Sequence, residues 1–152
     1  MQTTLGADDA WSVVASGESR SQWYVDAAPF RFRRGLDQLI GGPGRRDAPP
    51  GTPRLATGHR VGFWHVVEAD HQRRRLVLDA AVRAPGRVRL VVRVASNDEG
   101  SQVSSEISFM PRGLAGAAYL LADLPARALV SELAMLHLLV VLRRQEAARV
   151  AL

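Results

Sequence analysis

At 152 residues the chain has the length of a single domain, enough to bury roughly two thirds of the surface its unfolded form exposes. It contains no cysteine, which excludes disulfides and thiolate nucleophiles and leaves His, Asp and Glu as the strong metal ligands. A net charge of +5 and a pI near 11.1 invite a nucleic-acid reading. Every basic residue is Arg, however, and the densest groups (Arg31-Arg33-Arg34, Arg45-Arg46, Arg73-Arg74-Arg75) are spread along the chain, so solvated turns explain them better than a phosphate-tracking groove.

The first residues, Met1 to Leu5, lack the basic stretch and apolar run of a secretory leader, and the expected location is cytoplasmic. Ala7 to Ser16 reads as a helix with Asp8 and Asp9 at its positive end, stopped by Gly17. A short helical stretch, Gly35 to Ile40, runs into Gly41-Gly42-Pro43-Gly44, which no regular element tolerates. Residues 41–57 therefore read as a flexible loop, either a lid over a pocket mouth or a solvated connection.

From Arg60 to Pro111 the period becomes two. Arg60 to Glu68 reads as one strand whose inward side is open: Val61, Phe63, His65 and Val67 alternate with Gly62, Trp64, Val66 and Glu68. The next strands are clearer. Leu76, Leu78, Ala80 and Val82 form one side of a strand, Val88, Leu90, Val92 and Val94 one side of another, and Val103, Ser105, Ile107 and Phe109 one side of a third. Turns at His71 to Arg73, Pro85-Gly86 and Asn97 to Gly100 are short enough to make these strands antiparallel neighbours.

The last third reads as helical, with a short segment from Leu114 to Leu121, a break at Leu124-Pro125, and a long helix from Ala126 to about Val150. Between Leu129 and Leu142 this helix is apolar nearly all round, marked by Glu132 and Arg143. About 14 residues broken by Ser131, Glu132 and His137 fall short of the roughly 18 apolar residues a membrane span takes, so the segment reads as a core helix and no membrane contact is expected. Such a helix must be surrounded, either by the sheet or by a second chain.

This order of elements resembles the helix-grip architecture of the SRPBCC superfamily, which includes START-like and birch-pollen-allergen-like proteins and polyketide cyclases. The residues Trp23-Tyr24, Arg33, Leu36-Asp37, Gly41 to Gly44, Phe63-Trp64, Val66-Val67, Leu76 to Leu78, Pro85-Gly86, Phe109 to Leu114, Gly116, Tyr119 and Leu124-Pro125 resemble more closely a bacterial domain-of-unknown-function family within that superfamily. The resemblance implies an α+β fold: a curved antiparallel sheet wrapped around the long C-terminal helix, with a hydrophobic cavity between, in one domain spanning residues 1–152. In that family's pattern acidic residues stand at the positions of Gly62 and Ala81, aromatic ones at those of Arg89, Leu120 and Ser131, and His at that of Arg127. Their replacement here implies a reshaped cavity.

No common catalytic motif fits: there is no nucleophile elbow, no P-loop lysine, and the four histidines show no metal spacing. His137, near Val130, Leu133 and Val140 on the long helix, reads as a buried imidazole able to exchange a proton, against the alternative of a structural hydrogen bond. His65 is a second acid–base candidate if its side of the strand faces inward. The expected ligand contacts are Trp23, Tyr24, Phe63, Leu78, Leu90, Ser105, Ile107, Tyr119, Arg127, Ser131 and Leu133, an apolar set with a few polar tips. No cofactor, metal or nucleic acid is expected. The reading is a binder of a hydrophobic small molecule, as a cofactor-independent, cyclase-like or isomerase-like enzyme that folds its substrate and moves a proton. The alternatives are a non-catalytic carrier and a homodimeric interaction protein whose helix is covered by its partner.

Overall fold

The computed structural model describes residues 1–18, 23, 48–81, 86–113 and 124–150, with the side chains of 124–131, 149 and 150 outside that description. Its elements are β1 (Gln2–Thr3), α1 (Ala7–Val14), β2 (Arg60–Val61), β3 (Trp64–Asp70), β4 (Arg75–Ala80), β5 (Gly86–Asn97), β6 (Gly100–Pro111) and α2 (Leu124–Val150). The six strands form one antiparallel sheet in the order β1-β6-β5-β4-β3-β2. This α+β arrangement, with a long C-terminal helix, is compatible with a helix-grip. No helix among the described residues is long and apolar enough to cross a membrane.

Period-two alternation sets the faces. Trp64, Val66, Leu76, Leu78, Leu90, Val92, Val94 and Val103 turn to one side and are buried, forming the inner face. α1 lies against it through Ala7, Ala10, Trp11, Val13 and Val14. The side chains of Trp11, Trp23 and Trp64 all reach this core. A polar tie fixes α1 to the β3–β4 turn: the Trp11 indole N–H donates to His71 Nδ1 at 3.1 Å, and Arg74 pairs with Asp8 at 2.9 Å.

The expected single strand from Arg60 to Glu68 is instead a tight hairpin. Val61 pairs with Trp64 across Gly62-Phe63, and Gly62 takes φ 60, the positive value that the first central position of a II′ turn demands. The alternation runs straight through a turn that glycine permits. The hairpin decides the open face: Trp64 and Val66 are inward, His65 and Val67 outward. A register shift between Val66 and Glu68 marks a bulge, after which Ala69 returns to the inner side opposite Leu76.

The expected loop is only partly within the described set. Residues 48–57 are irregular as expected, but Leu55 is fully buried and its N–H donates to the Ala15 carbonyl at 2.8 Å, so this half is fastened to the core. Residues 41–47, the short helices expected at Gly35 to Ile40 and Leu114 to Leu121, and the turn at residues 82–85 lie outside the described residues.

β1 is too short to show in a sequence pattern, yet it closes the sheet and meets the end of α2. Glu146 accepts hydrogen bonds from the hydroxyls of Thr3 and Thr4 and from the Thr4 N–H at 3.0 Å. The Thr3 hydroxyl first, then that of Thr4, holds the Glu146 carboxyl below its ordinary value against a smaller opposing effect of burial. A carboxyl whose value is depressed by folding favours the fold in its ionised form. That contribution is complete above the unfolded glutamate value of about 4.3 and is lost as pH falls through the folded value. Glu146→Ala should cost about 1–3 kcal/mol at neutral pH, because it removes the acceptor of the largely buried Thr3 O–H, whose oxygen still accepts from the Leu5 N–H, and the deficit relative to wild type should shrink in acid; urea melts at pH 7 and pH 3 check both.

Candidate functional site

The inner face is buried over most of its area and half-buried at one corner. In cross-strand rows, Val66, Leu78 and Leu90 are buried and end in Ile107, while Leu76 and Val92 are buried and end in Ser105. Towards the β4–β5 end, Trp64 is buried but Ala80, Val88 and Phe109 are only half-buried. Ala80, Val88, Phe109, Ile107 and Ser105 therefore form a continuous half-buried patch, running across the sheet end and then along β6, at the margin of the core. Phe109 is fixed over β5 by a close backbone approach: a Cβ at Gly86 would lie 2.5 Å from the Phe109 ring and 2.4 Å from the Met110 carbonyl.

α2 covers the β6 side of this patch. Its buried stripe is Ala134, Leu138 and Leu142, spaced by four, with Glu146 continuing it to β1. Met135 comes down beside the stripe, and the Ser105 hydroxyl donates to its thioether sulfur at 3.6 Å. Ser105 is thus a hydroxyl on an apolar wall, held by a weak acceptor that a ligand oxygen would replace with advantage. Ser131 and Arg127 lie one and two turns before Met135 on α2, with side chains outside the described set.

Of the residues expected to contact a ligand, Leu78, Leu90, Ser105 and Ile107 share this wall, the first two as its buried floor. Phe63 sits half-buried at the β2–β3 turn with its ring centroid 4.8 Å from that of Trp64. Trp23 is a core residue, fully packed and donating its indole N–H to the Val14 carbonyl at 3.1 Å. Leu133 faces away from the sheet and is exposed. Tyr24 and Tyr119 lie outside the described residues. Ala80, Val88, Phe109 and Met135 belong to the same wall but are not among the contacts the sequence singles out; apolar side chains carry no chemical signature, and only the strand register groups them.

Neither histidine reaches the wall. His65 is exposed on the outer face, in register with Asp79. His137 is half-buried rather than buried, on the side of α2 that carries exposed Leu133 and Val140, and among the described residues it has no hydrogen-bond partner. The inner face itself presents no titratable group among the described residues, and no three His, Asp or Glu side chains there gather as metal ligands.

The titratable cluster lies on the opposite face. Arg89 grips Asp79 with two hydrogen bonds of 2.7 and 3.0 Å, Arg87 stands 3.9 Å away, and Arg75 pairs with Glu68. The Arg89 hydrogen bond, outweighing burial, holds the Asp79 carboxyl below its usual range, with smaller help from Arg87 and His65. Arg89 completes this ion pair, and Gly62 serves the β2–β3 turn.

Residues 1–133 match the family described as "Protein of unknown function (DUF2867)". The chain belongs to this family. The match takes in the whole sheet and α1 and stops within α2, so the stripe from Ala134 to Glu146 that fastens the helix lies beyond it. No curated protein and no solved structure matches the chain.

Proposed function

We propose that this member of the family binds an apolar small molecule between the inner face of the sheet and α2, in the manner of the helix-grip superfamily. The observation that supports the reading is the half-buried corner: four apolar side chains and one hydroxyl, only partly covered on a face that is elsewhere largely buried. Apolar walls with a few polar groups are the common build of small-molecule sites. Ser105 would orient a carbonyl or hydroxyl of the ligand, and Leu78 and Leu90 would form the floor. Binding without chemistry fits better than proton transfer, because His65 points to the other face and His137 stands among exposed side chains.

Val88→Trp fills the corner with an indole while leaving the buried rows untouched. It should weaken binding of a fluorescent apolar probe such as Nile red by at least about tenfold, since the added ring occupies volume the probe needs. Unchanged probe affinity in a folded Val88→Trp protein would place the site elsewhere. Native mass spectrometry of the freshly purified chain provides the companion measurement, in which a co-purified mass lost in the variant supports the reading.

A further inference from the structure

α2 has a second apolar face that the sheet does not use. Leu133, Leu136 and Val140, at spacing i, i+3, i+7, are 45%, 55% and 46% exposed on the side opposite Ala134, Leu138 and Leu142. Beside this ridge lies a groove of about 300 Å³ lined by Met1, Glu132, Met135, Leu136 and Leu139. Ridge and groove are contiguous and share Leu136. A surface of this form is self-complementary, because a two-fold rotation lays the ridge of one copy into the groove of the other.

Charge fixes the direction. Glu132 and Arg143 are both exposed, and neither has an ion-pair partner among the described residues. Eleven residues is just over three whole turns, so the two lie within about 20° of each other on the same flank, roughly 16 Å apart along the axis. A parallel pairing would set Glu132 against Glu132 and Arg143 against Arg143. An antiparallel pairing about an axis between His137 and Leu138 sets each Glu132 against the other copy's Arg143, with Leu136 against Leu139 and Val140 over Met135. We propose that the chain forms an antiparallel two-fold dimer through this face of α2, with a second copy of itself as the occupant.

Sedimentation velocity across a dilution series tests the proposal, independently of the small-molecule site. The wild type should be a dimer at high micromolar concentration and dissociate on dilution. Leu136→Arg, at an exposed position, should be monomeric throughout with an unchanged far-ultraviolet circular dichroism spectrum. Glu132→Arg and Arg143→Glu should each raise the dissociation midpoint by about tenfold, and the double variant should restore it, because the swap recreates the pair across the axis. A wild type monomeric at every concentration would overturn the proposal, as would a dimer indifferent to Leu136→Arg or a double variant no better than the singles. A monomer that still binds Nile red in a manner sensitive to Val88→Trp would overturn the dimer alone and leave the binding site standing.

Discussion

At dilutions where the chain is monomeric, Leu138→Ala is expected to lower the unfolding free energy by about 2–5 kcal/mol, while Leu136→Ala, two residues away on the same helix, should change it by less than about 0.5 kcal/mol. The two leucines differ only in direction: Leu138 is 0% exposed within the stripe that meets the sheet, and Leu136 is 55% exposed on the far side. Truncating Leu138 removes apolar contacts and leaves a void between α2 and the sheet, where flanking Ala134 and Leu142 are held by their own packing and cannot close it. Chemical melts of the two variants provide the comparison. Equal losses would mean that both sides of the helix are buried within one chain.

Trp23→Ala should cost about 3–5 kcal/mol, the largest effect expected of any substitution considered. The indole is enclosed in the core cluster, and its N–H satisfies the Val14 carbonyl at the end of α1, so truncation opens a large void and removes a hydrogen bond at once. Trp23→Phe should recover part of the packing but not the hydrogen bond. Were Trp23 a pocket wall, as the sequence alone suggests, its loss would weaken ligand affinity more than stability. Thermal melts read beside probe titrations separate the two outcomes, with a stability loss and near-normal affinity in the folded fraction expected.

Much of the sheet was legible because period-two alternation is a local signal. β4, β5 and β6 follow the expected strands, and their buried sides are those the pattern chose. The pattern failed where burial does not follow apolarity alone. Val77 and Val91 fall on the wet face of the pattern, and they do point outward, yet they are only 2% and 8% exposed. They are paired in one row between Glu68 and Glu106, with Arg75 and Arg93 in the next row, side chains long enough to lay methylene stems over apolar neighbours. A sequence does not show which stems lie over which neighbours.

The long helix was harder to read. Its nearly uniform apolarity implies a surround on all sides, and among the described residues the helix is fully buried along one stripe, through Ala134, Leu138 and Leu142. Periodicity does not distinguish the side that meets the sheet from the side that meets something else, since both are leucine-rich. His137 shows the same ambiguity: beside Leu133 and Val140 it reads as a core residue, yet those neighbours are themselves exposed. The candidate site was half legible. Leu78, Leu90, Ser105 and Ile107 share the inner face by alternation, whereas the place of Ala80, Val88 and Phe109 depends on their incomplete burial, and burial is a property of packing rather than of any residue.

If an apolar molecule occupies the half-buried corner of the inner face and not the outer face of α2, methyl-resolved NMR of the chain titrated with Nile red will show it, because both surfaces carry methyl reporters. Shifts should be confined to Ala80, Val88 and Ile107, beside Met135, which both surfaces share, with Leu133, Leu136 and Val140 unmoved. Shifts at the helix ridge with silence at Ala80, Val88 and Ile107 would mean that the corner is not the binding site.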